Sequence, residues 1–271
     1  MKAAYFASLT LLAGTALSAP IDFVVDPAQS SIDLAITVDV SIASNTDTDS
    51  SPLSGILRVE LDDYGNPTEI TLHDLHIDID QTLNFDWSFG FFGGADATLT
   101  GGAVTWGMID SIVGPVPVSG GDFLLPAVPV ALMGTMSVNY DILLVGQGSE
   151  TLNLADQGDF FSDIDGSVAV MGETVTISST LPLDATTPLT DDQGNQLGTL
   201  IVSGTATIVA SAQAPACPAD LTGDGVLNFF DVSAVLNAYN TMNPIADFDN
   251  NGVFNFFDVS AFLNAYNAGC P

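Results

Sequence analysis

The chain has 271 residues, 33 of them acidic against two basic, for a formal charge of −31 at pH 7. That balance excludes nucleic acid as a partner and direct docking on an anionic membrane, because both need Lys and Arg. Hydrophobic residues make up 47% of the chain, too many for a disordered acidic polymer, and the charge suits solubility where screening is short-ranged, as in a marine or saline setting.

The first twenty residues, MKAAYFASLTLLAGTALSAP, have the layout of a secretory signal peptide. Lys2 is a minimal charged region, Ala3 to Leu12 is apolar, and small residues follow. Cleavage after Ser18, with Ala16 three back, fits better than cleavage after Ala19, which would leave Pro20 at the new terminus. Residues 1–18 are therefore expected to be removed. The mature chain would keep one basic residue, Arg58, against 33 acids, a formal charge of −32. The stretch is too short for a transmembrane anchor, and the longest later apolar run, Phe123 to Met136, is broken by Pro126, Pro129 and Gly134. The expected location is secreted or associated with the cell surface, with no membrane insertion after cleavage.

Residues 19–210 are expected to form a β-rich domain, an antiparallel β-sandwich or barrel, because short alternating segments are separated by turn signals. Ser31 to Ile42 alternates almost throughout. Gly55–Asp63 and Glu69–Asp80 flank Asp63-Tyr64-Gly65-Asn66-Pro67, a hairpin signal. Further strands are expected at Ala97–Thr105, Met133–Val145, Ser167–Ser178 and Leu197–Ala210, with a hairpin turn at Asp191–Gln196. The acidic stretch Asp156–Asp165 is expected to be a solvated loop. His73 and His76 sit on one strand at an odd spacing, so alternation sends them to opposite faces, His73 with Leu75 and Ile77 and His76 with Asp74 and Asp78. No nucleophile elbow, phosphate loop or zinc-protease motif occurs. Only glycoside hydrolysis, which needs two carboxylates, is compatible with this composition, and the four glutamates, Glu60, Glu69, Glu150 and Glu173, carry no catalytic mark. Trp87, Phe89, Phe91, Phe92 and Trp106 form the one cluster able to serve as a carbohydrate platform, provided it lies on an exposed face.

After a linker at 211–219, a unit is written twice, twenty-seven residues apart: Asp220–Asn240 and Asp247–Asn267 agree at 15 of 21 positions. Each copy opens with a twelve-residue calcium-loop pattern, oxygen ligands at positions 1, 3, 5, 7, 9 and 12 and Gly at 6. The first loop offers Asp220, Thr222, Asp224, the Val226 carbonyl, Asn228 and Asp231, and the second Asp247, Asp249, Asn251, the Val253 carbonyl, Asn255 and Asp258. Position 9 acts directly or through water. Two calcium ions are expected, held by three carboxylates per loop, with Asp in place of the usual Glu at position 12 and an affinity suited to calcium outside cells. A helix follows each loop, with apolar stripes Val232, Val235, Leu236, Tyr239 and Val259, Phe262, Leu263, Tyr266. The segments before the loops contain prolines and no periodicity, so each unit is loop then helix. Cys217 and Cys270 bracket the pair. Bridged, they would close about 54 residues and stabilise by roughly 4 kcal/mol in the chain-entropy model; the alternative is two free thiols, and export favours the bridge.

Two calcium loop–helix units in some 50 residues resemble a dockerin, with the Gly-Cys-Pro ending of the dockerin-like tails of environmental bacteria. The resemblance covers Asp220 to Asn267, within an expected dockerin-like domain at 220–271. It implies antiparallel helices, near two-fold symmetry and a face that binds a cohesin-like or cell-surface partner. Loop positions 10 and 11, which in dockerins help choose the partner, are here Phe229 and Phe230 in one copy and Phe256 and Phe257 in the other, where familiar cellulosomal dockerins carry small polar or basic residues. In so small a unit one Phe of each pair is expected to be buried and the other exposed. Phe23–Ile36 resembles the opening strand of YceI-type lipocalin-like barrels, which bind apolar ligands. The sequence therefore supports a secreted, non-catalytic β domain anchored by a dockerin-like module, with two alternatives: a carbohydrate-binding or glycoside-hydrolysing component of a polysaccharide-degrading system, and an apolar-ligand carrier.

Overall fold

The computed structural model describes residues 19–40, 43–107, 111–143, 146–190, 196–215, 217–249 and 251–269. The expected signal peptide, the Asp191–Gln196 turn up to residue 195, and Cys270 lie outside the described residues. The chain divides into two compact units, Pro20–Ala214 and a C-terminal one beginning at Pro215.

The first unit is a twelve-stranded, wholly antiparallel sheet. Its strands are β1 (Ile21–Val25), β2 (Ser31–Val40), β3 (Ala43–Leu61), β4 (Glu69–Ile79), β5 (Leu83–Ser88), β6 (Gly93–Trp106), β7 (Val113–Pro117), β8 (Asp122–Ile142), β9 (Gly146–Asn153), β10 (Asp159–Met171), β11 (Thr174–Thr190) and β12 (Gln196–Gln213). Strands β1 and β2 lie in one row, because both pair with β3 on one side and β12 on the other. Likewise β4 continues into β5, β6 into β7, and β9 into β10. The path β3–β2–β12–β11–β10–β8–β6–β4 returns to β3 through the β3–β4 ladder, so the hydrogen-bonded neighbours form a ring.

Alternation along the strands fills the space between the rows. One core gathers Phe23, Leu61, Tyr64, Ile70, Val128 and Val175. A second gathers Ile36, Val38, Leu83, Phe85, Trp87 and Ile142. Phe85 and Trp87 stack with ring centroids 5.9 Å apart, and the Trp87 indole donates to the Ile36 carbonyl at 2.8 Å.

The β3–β4 hairpin forms where the turn signals place it. Its turn is held by the Asp62 carboxylate, which accepts the Thr68 and Glu69 amides, both at 2.8 Å, and the Thr68 hydroxyl. Gly55 has φ +140°, and a Cβ there would stand 2.0 Å from the His76 carbonyl oxygen, so the close approach of β3 and β4 requires glycine.

Four expectations need correction. Ser167–Ser178 is two strands, turning at Gly172, whose φ of 63° provides the left-handed residue the turn needs. Asp156–Asp165 is a short 3₁₀ turn followed by the start of β10. The opening stretch Phe23–Ile36 is two strands of one row, parted by a turn. Strand β12 runs to Gln213, so the first residues of the expected linker are paired with β11. The polar first half of β3, Ala43–Pro52, gave no apolar alternation to read, yet it pairs with β2 along its length.

Above Ser179, β11 pairs with β12 alone among the described residues. Pro182 and Pro188 lie in that stretch; with no N–H to offer, they suit an unpaired edge and blunt it against further strand addition.

In the C-terminal unit, helix α1 (Phe229–Asn240), a 3₁₀ turn (Pro244–Ala246) and helix α2 (Phe256–Ala268) enclose Ala219, Val235, Ala238, Ala246 and Phe262. Phe248 meets Phe262 edge to face at 5.3 Å. The duplicated positions Val235 and Phe262 carry the core contact in each copy. Leu236 and Leu263, expected on the buried stripe, are about half exposed, because Ala238 and the Asp231 and Asp258 side chains occupy the inward face instead.

Candidate metal centre

The two loops fold alike because their residue types repeat. In the first, Asp220 accepts the amides of Gly223 and Gly225, each at 2.7 Å, which curls the loop around one carboxylate. Asp231 accepts the Thr222 amide at 3.0 Å and the Asn228 amide at 2.9 Å. The Thr222 hydroxyl lies 2.9 Å from Asp231 and 3.2 Å from Asp220, and donates to one at a time. Asp224 accepts the Val226 amide at 2.9 Å. In the second loop Asp247 accepts the Gly252 amide at 2.8 Å and Asn251 accepts the Val253 amide at 2.7 Å. Asp258 accepts the Asn255 amide at 2.7 Å and the Asp249 amide at 3.4 Å. Gly225 and Gly252 have φ of 78° and 75°, the left-handed turn that position 6 requires.

Asn228 and Asn255 have a second task that loop spacing did not reveal. Each is a helix N-cap: its side-chain oxygen accepts the amide of Phe230 or Phe257 at 2.7 Å. Its side-chain amide donates to the Val226 or Val253 carbonyl at 2.9 Å. Asp231 and Asp258 complete reciprocal capping boxes. The sequence signal was present, Asn followed three residues later by Asp ahead of an apolar run.

Asp231 and Asp258 are enclosed, at 0% and 1% exposure. Burial pushes the Asp231 carboxyl up, but hydrogen bonds from the Asn228 and Thr222 amides and the Thr222 hydroxyl outweigh it, and the pKa lies below its ordinary 3.8. For Asp258 the Asn255 amide is the leading cause of a lowered pKa, opposed by burial and reinforced by the Asp249 and Phe248 amides. Both carboxyls are thereby kept ionised, the state a cation needs.

Carboxylate oxygens of Asp247, Asp249 and Asp258 all lie within 4.8 Å of one another. Two oxygens across one calcium ion are ~4.6–5.2 Å apart, from metal–oxygen distances of about 2.3–2.6 Å. The spacing thus fits that ion. Three anions so close repel unless a cation joins them, and the unit has no Lys or Arg to do so. In the first loop Thr222 stands where the second has Asp249, so a hydroxyl replaces one corner of the cluster.

All four loop phenylalanines face outward: Phe229 is 75% exposed, Phe230 68%, Phe256 74% and Phe257 70%. One of each pair was expected in the core; Phe248, Phe254, Leu221 and Leu227 pack there instead. Exposures match between copies, also at Val226 and Val253 and at Leu236 and Leu263, so two equivalent apolar surfaces result. Cys217 is disulfide-bonded; the other cysteine of the sequence is Cys270.

In the β unit His73 is the bulged residue of the β3–β4 ladder and lies 2.7 Å from Glu60, off the Leu75–Ile77 face on which alternation had placed it. His76 lies 3.1 Å from Asp78. Each histidine has its own carboxylate partner, and the two do not converge. Trp87 and Phe89 are buried, Phe92 and Trp106 partly so, and only Phe91 of the five aromatics is exposed, which removes the flat platform a carbohydrate surface needs.

No family model matches the chain, and no curated protein does. Among solved structures, Ail, the attachment invasion locus protein of Yersinia pestis, crystallised with the heparin analogue sucrose octasulfate, is similar at 8% identity and a TM-score of 0.29, over 72% of this chain and 100% of that one. A score of that size carries no argument about function.

Proposed function

We propose that this is an exported, non-catalytic protein whose dockerin-like C-terminal unit binds two calcium ions and anchors a closed, up-and-down β-barrel to a cohesin-like or cell-surface partner. The observation that carries the reading is the convergence of Asp247, Asp249 and Asp258 within 4.8 Å in a loop whose residue pattern recurs at Asp220–Asp231. Asp220, Thr222, Asp224, the Val226 carbonyl and Asp231 would hold one ion, and Asp247, Asp249, Asn251, the Val253 carbonyl and Asp258 the other. Asn228 and Asn255, whose side-chain oxygens cap the helices, would serve through water. Bound calcium supplies the positive charge that the clustered carboxylates lack. The chain's own contribution is to keep the Asp231 and Asp258 carboxylates ionised and through them to tie each loop to its helix.

The ring of pairings from β3 back to β3 supports a barrel over a sandwich. Its interior is occupied by the two apolar cores, which argues against the apolar-ligand carrier, and the buried Trp87 and Phe89 argue against a carbohydrate surface.

Calorimetric titration of the full chain with calcium tests the reading. About two ions are expected, with a dissociation constant near 10⁻⁴–10⁻³ M, the range of extracellular modules. Asp220→Ala with Asp247→Ala should abolish both binding events and leave the β unit folded. Unchanged stoichiometry in that double variant would overturn the loop assignment.

A further inference from the structure

Where β3 and β5 run side by side, side chains join them in place of a backbone ladder. The β3–β4 ladder ends at Leu53 opposite Ile79, followed by one backbone bond from the Asp80 amide to the Pro52 carbonyl at 3.1 Å. Beyond it the contacts change kind. The Gln81 amide donates to the Ser51 hydroxyl at 2.9 Å, the Asn84 amide to Asp49 at 2.7 Å, and the Asp86 amide to Asp47 at 2.7 Å. The Asn45 side-chain amide donates to the Ser88 carbonyl at 2.6 Å. Residues 45, 47, 49 and 51 are alternate positions on β3, so all four side chains leave the same face. They meet β5 at 88, 86 and 84 and the segment before it at Gln81, the order of an antiparallel pair.

Each strand keeps a full ladder on its other side, β3 with β2 and β5 with β6. Among the described residues, the β3–β5 seam is the one that side chains span in this way. A backbone ladder needs strands about 4.7–4.9 Å apart, and an inserted carboxylate holds them further apart. Directly behind lie Leu83, Phe85 and Trp87, packed on Ile36 and Val38.

We propose that Asn45, Asp47, Asp49 and Ser51 form a side-chain latch over the second core, and that the barrel opens locally along this seam while its backbone-paired seams stay closed. A latch bond is lost by rotating one side chain, whereas a ladder bond requires the whole strand to move. The expected motion separates β5 from β3 and exposes Phe85 and Trp87 without unfolding β11 and β12.

Amide hydrogen exchange on the full chain tests this. In the unaltered protein, the Asn84 and Asp86 amides should exchange at least tenfold faster than the Val175 and Ile177 amides of β11. In the Asp47→Ala, Asp49→Ala double variant, Asn84 and Asp86 should speed up by a further tenfold or more, with β11 unchanged. Asp47→Asn with Asp49→Asn keeps an acceptor at each site and should retain most of the protection, which gives a readout should the alanine variant fail to fold. Equal protection of Asn84, Asp86 and the β11 amides in the unaltered protein would overturn the proposal. So would an alanine variant that folds with no change at Asn84 and Asp86.

Discussion

Phe262→Ala should strip the C-terminal unit of a third or more of its stability and leave the β unit standing. Phe262 is fully enclosed, with Phe248 edge-on at 5.3 Å and Tyr266 at 5.8 Å. Truncating a buried Phe costs about 3–5 kcal/mol, the lost transfer energy plus the cavity that remains. The residues from Pro215 to the end of the chain form a unit whose whole stability, at about 0.05–0.15 kcal/mol per residue, is roughly 3–9 kcal/mol. The substitution therefore removes a third of that stability at the least and all of it at the most. Calcium at about a hundred times its dissociation constant would restore ~2.7 kcal/mol per site. Differential scanning calorimetry of the full chain, with calcium and with chelator, should show the C-terminal transition lowered or lost in chelator and partly restored by calcium, while the β transition stays in place. Leu263→Ala, one residue on and half exposed, is the control and should cost well under half as much. Equal effects from the two substitutions would refute the assigned core, and joint loss of both transitions would refute the independence of the two units.

Asp62→Ala removes the acceptor for two amides and a hydroxyl in the β3–β4 turn and should cost about 1–2 kcal/mol. Burial raises the Asp62 pKa, and hydrogen bonds from Thr68 and Glu69 more than reverse this, so the folded value lies below the ordinary 3.8. Its contribution is thus complete above the unfolded pKa and lost as pH falls through the folded one; acid unfolding curves of the variant and parent should converge below pH 3.8 and separate above it. With 33 acids against two bases, self-repulsion should also weaken as the Debye length shrinks from about 30 Å at 0.01 M salt to about 8 Å at 0.15 M. The β transition measured in chelator should therefore rise with sodium chloride, and a fall would show that repulsion does not limit stability.

The antiparallel, mainly β character was legible because long stretches such as Ser31–Val40 and Glu69–Ile79 alternate with one face apolar. The first half of β3 was harder to read for an identifiable reason. Residues 43–52 carry almost no apolar side chains, since there the inward positions of β3 hold Asn45, Asp47, Asp49 and Ser51, which bind the backbone of β5. Periodicity methods see hydrophobicity and are blind to a strand whose buried face is polar. Likewise the bulge at His73 shifts the alternation of β4 by one residue, a slip that no residue type announces. In the C-terminal unit the two helices follow from local spacing and so were open to reading, whereas the Asn228 and Asn255 caps carried a signal in residue type that loop spacing did not reveal. The placement of the four phenylalanines was not, because it depends on how two copies of one helix share a core, and Phe248, Phe254 and Phe262 fill that core from positions where the copies differ or lie inside the loops.

That placement has an energetic consequence that can be measured without knowing the partner. Fully burying a Phe side chain is worth about 1.5–3 kcal/mol. Phe229, Phe230, Phe256 and Phe257 are each more than two-thirds exposed, so together they leave about 4–8 kcal/mol of unrealised burial, comparable to the stability of the unit itself. A fold that small gains nothing from holding them outside, and the matched exposures in the two copies show that the arrangement is set by the repeat. The docking proposed above would draw on the same apolar area, offsetting part of the ~4–15 kcal/mol lost in translational and rotational freedom on association. The proposed separation of folding from docking predicts that changing all four to Ser leaves the C-terminal transition within about 2 kcal/mol of the parent, since surface positions rarely cost more than ±0.5 kcal/mol each. For a domain of this size, at about 4–8 °C per kcal/mol, that is a shift of roughly 8–16 °C or less. A loss of the C-terminal transition in the quadruple variant would show that these side chains hold the fold together, and the docking face would have to be sought elsewhere.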